Sequence, residues 1–114
     1  MRQLLPVDAE WIVPQHFYVE VAGVLRRWER QGILSAAKAD QAIRALIGWP
    51  LRRADLVPLL AEAWRRRHNM ILPDGLYVAL AAQLGADLLT DDHKLAATPG
   101  FPSTVAVLRL PLRP

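Results

Sequence analysis

The sequence predicts an α/β domain built on a parallel sheet. Short strand-like runs recur at 9–13, 86–90 and 104–110, and segments of helical periodicity separate them, the alternation that parallel pairing requires. The segment 73–84 is apolar on almost every side, as a helix buried against other elements must be. A chain of 114 residues is the size of one small domain with a single core.

Taken in order, residues 1–5 read as the end of a helix, and 9–13 as a strand stopped by Pro14. From Phe17 to Arg30 the apolar residues Phe17, Val21, Val24, Leu25 and Trp28 recur at helical spacing. Arg26, Arg27 and Arg30 fall outside that stripe, and Gly32 supplies the stop. Ser35 is a natural N-cap for a helix running to about Gly48, before Trp49-Pro50. Residues 51–53 read as a short extended piece. Asp55 caps or opens a helix through Arg67, with Pro58 tolerated in its first turn. Pro73 opens the apolar helix, which ends at Gly85. The buried strand 86–90 follows. Asp91-Asp92 starts a short helix ending by Pro99-Gly100, and 104–110 is a last strand.

Composition excludes several classes of function. Without cysteine there is no disulfide and no thiolate chemistry. No run of eighteen apolar residues is present, so no membrane span is expected, and the first residues lack the features of a signal peptide. A cytoplasmic setting is the default expectation. Fourteen Lys and Arg against eleven Asp and Glu leave a net charge of +3, which permits a nucleic-acid partner without requiring one. Twelve of the fourteen are Arg, whose planar fork suits phosphate, although a GC-rich genome accounts for the same usage. The histidines His16, His68 and His93 are scattered, and no phosphate loop, dinucleotide fingerprint or nucleophile elbow is found.

Three places carry carboxylates where packing alone would not put them. Glu20 lies at the edge of the apolar stripe of the first long helix. Asp74 follows Pro73 at the start of the most apolar helix. Asp91 and Asp92 stand where a buried strand gives way to a helix. Each has a bland account: a solvated Glu, an Asp complementing the helix dipole, a cap. Together they describe acids able to converge on one cleft at the carboxyl end of a strand, where α/β domains gather function. Clustered carboxylates repel each other unless cations neutralise them. Their hard oxygens select Mg²⁺ or Mn²⁺, and metal beside arginine is equipment for phosphodiester hydrolysis.

The stretch P-x-x-F-Y-V-E-V-A-G-V-L-R-R at 14–27 and the stretch L-P-D-G-L-Y-V-A-L-A-A-Q-L-G-A-D-L-L-T-D-D-H-K-L at 72–95 resemble segments of the PIN-domain family, in its VapC-like toxin ribonuclease branch. The final strand, 105–110, fits the family's closing strand. The resemblance covers nearly the whole chain and implies a PIN-like three-layer α/β domain with a parallel sheet. It maps Glu20 onto the family's second acid, Asp74 onto the third, and Asp92 onto the acid of a Thr-x-Asp turn. Asp91 is then the variable neighbour and an additional metal-site candidate. Thr90 becomes the hydroxyl that orders the turn, and Arg27 a supporting cation. It also implies Mg²⁺ or Mn²⁺, an RNA substrate, a small antitoxin partner and a homodimer.

The family opens with a strand ending in Asp and then a helix, and neither has a counterpart here. Asp8 cannot substitute, because it precedes the strand before Pro14. The expectation is therefore a single PIN-like domain over 1–114, truncated at its N-terminus. An upstream-extended form is expected to hydrolyse RNA with Mg²⁺ or Mn²⁺, and the chain as written to be much weaker or inactive. The favoured function is a metal-dependent endoribonuclease of toxin–antitoxin type. The alternative is a catalytically inactive PIN-like domain that binds antitoxin. A third reading, a helical nucleic-acid binder using Arg26, Arg27, Arg30 and Arg65 to Arg67, leaves Asp74 and Asp92 unexplained.

Overall fold

A computed structural model describes residues 11–90, 97–99, 102 and 107–109. The chain divides into two compact units, Met1–Ala54 and Asp55–Pro114.

In the first unit, strand β1 (Ile12–Pro14) is followed by helix α1 (Phe17–Arg30), helix α2 (Ala36–Gly48) and strand β2 (Arg52–Ala54). β1 and β2 pair in parallel, with Ile12 opposite Arg52 and Pro14 opposite Ala54. Contrary to expectation, the strand includes Pro14. The Arg52 N–H donates to the Trp11 carbonyl at 3.1 Å and the Gln15 N–H to the Ala54 carbonyl at 3.0 Å. Alternation along the strand then turns the Pro14 nitrogen away from β2, where its missing donor costs the ladder nothing.

α1 has the limits its periodicity predicts. It stops because Gly32 adopts a positive φ of 75°, which glycine tolerates without a Cβ clash. The turn is closed by the Gln31 N–H to Arg27 and by the Ile33 N–H to Trp28 at 2.9 Å. Ser35 caps α2 as expected, its hydroxyl accepting from the Lys38 N–H at 3.2 Å. α1 packs along α2. Ala39 and Leu46 are buried, and the Phe17 ring meets Trp49 edge-on at 6.4 Å.

The second unit runs through helix α3 (Val57–Arg65), helix α4 (Leu72–Leu84), strand β3 (Leu88–Thr90) and strand β4 (Val107–Arg109). α3 begins after Leu56 without a side-chain cap, so Asp55 lies outside it. It also ends before Arg67, because the chain tightens into i→i+3 bonds such as Arg66 N–H to Ala63. α4 buries Gly75, Leu76, Val78, Ala79, Leu80 and Ala81, the all-round burial its composition predicts. Leu59 and Ala63 are the buried residues of α3, which packs on α4. Met70, Val78, Ala81 and Leu88 form one apolar cluster with Tyr77 and Ala82 against it, so Leu88 ties β3 to the helix before it. Gly85, left-handed at φ 60° and ψ 31°, makes that reversal.

β3 pairs in parallel with β4, Thr90 opposite Arg109. The class is therefore α/β with parallel pairing, in two two-stranded sheets among the described residues. The extended piece expected near 51–53 is strand β2. The terminal helix expected at 1–5 and the start of the short helix at Asp91 lie outside the described residues. Among the described residues no helix is long and apolar enough to cross a membrane.

Candidate metal and nucleic-acid site

Glu20 sits in the first turn of α1, one turn after His16. Its N–H donates to the His16 carbonyl at 3.1 Å. Its carboxylate stands 3.7 Å from the imidazole Nε2, with the glutamate side chain 43% exposed and the histidine 14% exposed. The glutamate thus keeps part of its side chain in water, beside a more buried imidazole. Residues at i and i+4 share a helix face, so the sequence carries a signal for this pair. It shows only when His16 is set against a nearby carboxylate, since the three histidines have no spacing relation to one another.

Aromatic packing fixes the base of α1. Tyr18 accepts a hydrogen bond from Arg53 Nε at 3.1 Å, and that guanidinium lies 5.5 Å from the Tyr18 ring. Phe17 meets Tyr18 edge-on and Trp49 from its other side. Helix α1, strand β2 and the end of α2 thereby hold the turn that carries Glu20.

Further along α1, Arg27 is exposed. With Gly23, Arg26, Arg30 and Gln31 it lines an open depression of about 470 Å³.

Asp74 is the third residue of α4, and the N-cap Ile71 offers that end no side-chain hydrogen bond. A carboxylate here complements the uncapped helix end. The next residue fixes its position. A Cβ on Gly75 would lie 3.3 Å from the Cα, Cβ and carbonyl oxygen of Ala63, and Ala63 is fully buried. The first turn of α4 thus rests directly on the backbone of α3, with Asp74 half-buried beside that contact. Thr90 ends β3, at the carboxyl end of a parallel strand. Asp91 and Asp92 lie outside the described residues.

Glu20 belongs to the first unit and Asp74 to the second. Among the described residues no three His, Asp or Glu side chains form a group that could hold a metal ion, and two of the four candidate ligands are not among those residues. The chemistry of the donors nevertheless fits a hard dication. They are carboxylates, those described keep part of their surface in water, and the chain has no thiolate to recruit a softer metal.

A family model for the PIN domain matches residues 1–100, and the chain belongs to the PIN-domain family. Among its relatives, Ribonuclease VapC3 of Mycobacterium tuberculosis is 44% identical over 94 residues, 82% of this chain and 67% of that protein. Ribonuclease VapC1 of the same organism is 39% identical over 97 residues, 84% of this chain and 73% of the other. Ribonuclease VapC12 is 33% identical over 95 residues, 83% and 74% of the two chains.

Proposed function

We propose that this protein is a metal-dependent endoribonuclease of the toxin–antitoxin type, with Glu20, Asp74 and Asp92 holding Mg²⁺ or Mn²⁺ and Asp91 beside them. The observation that carries this reading is similarity, across four-fifths of the chain, to proteins that are themselves named ribonucleases. The placement of the acids supports it. Asp74 opens a buried helix and Thr90 closes a parallel strand, the region where α/β folds collect ligands.

When bound, the dication would lower the pKa of a water and offset the charge that builds on the phosphate oxygens. The chain's own residues do the rest. The carboxylates of Glu20, Asp74 and Asp92 supply hard oxygens to the site. His16 stands beside Glu20. By the family's Thr-x-Asp pattern, Thr90 would order the segment that carries Asp91 and Asp92, and Arg27 would offer a cation to the RNA backbone. In the hydrolysis, a water oxygen forms the new bond to phosphorus. The phosphorus–oxygen ester bond breaks, and the leaving sugar oxygen takes up a proton.

The same reading brings a small antitoxin protein as partner, a homodimer as assembly and the cytoplasm as setting. The test is cleavage of a mixed RNA pool with Mg²⁺ or Mn²⁺ and with EDTA. Cleavage that needs metal and nearly vanishes in Asp74→Asn is the expected result. Equal cleavage in EDTA, or undiminished cleavage by Asp74→Asn, overturns the mechanism. A chain that cuts no RNA yet binds a small antitoxin would be the inactive binding module instead.

A further inference from the structure

Gly23, Arg26, Arg27, Arg30 and Gln31, the residues around the depression on α1, follow one another at steps of three, one, three and one. That spacing puts all five on one face of a helix. Glu20 precedes Gly23 by three residues and Arg27 by seven, so the face continues back to the candidate metal ligand. At 1.5 Å rise per residue, Arg27 lies roughly 10 Å and Arg30 roughly 15 Å along the axis from Glu20.

All three arginines are exposed, and among the described residues none of them makes an ion pair or a side-chain hydrogen bond. Glu29, the nearest acid in sequence, follows Arg26 by three residues and so flanks the edge of this face, yet it forms no ion pair with any of the three. Gly23 leaves the middle of the face without a side chain, and a Cβ there would meet nothing within 4 Å. Attraction of cations to the helix C-terminus explains an arginine near the last turn. It depends on position along the axis and does not explain three on one face around a gap.

We propose that Arg26, Arg27 and Arg30, with the gap at Gly23, form a phosphate-binding track that holds the RNA strand beside the cleavage site. This extends the ribonuclease reading by assigning the residues that grip the substrate away from the reacting phosphate. Guanidinium forks bind phosphate oxygens in pairs, and the depression gives the backbone room to approach the helix. The grip is electrostatic and indifferent to base identity.

Binding is tested apart from cleavage, by fluorescence anisotropy of a labelled single-stranded RNA on the full chain in EDTA across a salt series. Replacing all three arginines by Gln should weaken binding on the order of tenfold and make the plot of log affinity against log salt shallower by about 2, at about 0.7 for each phosphate no longer neutralised. Gly23→Glu, which puts a carboxylate in the gap and removes no arginine, should also weaken binding. Both variants alter exposed positions and should melt no lower than the wild type, Gly23→Glu somewhat higher because it gains helix propensity. Wild-type affinity and slope in the triple variant overturn the track, as does a wild-type chain that binds no RNA. Displacement of the RNA by polyglutamate at equal charge overturns it in favour of an acidic protein partner. RNA held through these arginines but never cut would leave the track standing and remove the ribonuclease reading.

Discussion

Gly75 is the residue on which the seating of Asp74 depends. Its missing side chain lets α4 approach the backbone of Ala63, and a Cβ would come within 3.3 Å of three atoms there. Because Ala63 is fully buried, those atoms have little freedom to retreat. Gly75→Ala gains about 1 kcal/mol of helix propensity and loses about 1–3 kcal/mol to overpacking. The expected sum is a destabilisation of about 1 kcal/mol, read as a lower urea midpoint at unchanged slope, together with slower cleavage because Asp74 moves with its helix turn. A higher midpoint would show that α3 yields. The proposed site also gives Asp91 and Asp92 different parts. Asp92 holds the acid position of Thr-x-Asp and Asp91 the variable one, so Asp92→Asn should nearly abolish cleavage and Asp91→Asn should reduce it less. Equal losses would mean that both side chains ligate.

Single elements owe their limits to single residues. Ser35 supplies the only side-chain N-cap among the described helices, and Ser35→Ala should cost about 1 kcal/mol, seen as a lower melting temperature. No change would mean that water serves the Lys38 N–H equally well. α1 and α2 are legible in the sequence because stripe, cap and glycine stop all agree on their limits. α4 is legible from all-round apolarity, although its first residue is Leu72 and not Pro73. The strand at Pro14 is not, because proline's missing donor matters only on the side facing a partner, and pairing is not written in a local stretch. The limits of α3 are hidden as well, because Asp55 reads as a cap, and the i→i+3 bonds after Arg65 leave no compositional trace. In the site, the acids are legible as residue types at element ends. The His16–Glu20 pair and the single face shared by Glu20 and the arginines are written in the i,i+3 and i,i+4 spacing, but only a search across residue types along α1 brings them out.

At the scale of the whole molecule, the proposed function requires the carboxylates of Glu20 and Asp74 to act on one reaction. Glu20 lies in the unit Met1–Ala54 and Asp74 in the unit Asp55–Pro114, more than fifty positions apart in the chain. Groups that serve one metal site lose their effect together, so their removal is strongly non-additive. The most direct measurement is therefore RNA cleavage in Mn²⁺ by the wild-type chain, Glu20→Gln, Asp74→Asn and the double variant. Each single change should slow cleavage on the order of a hundredfold, the scale of a reacting group misplaced by about 1 Å, and the double variant should be little slower than the worse single one. Two losses that multiply, or wild-type cleavage by Glu20→Gln, would contradict a shared site.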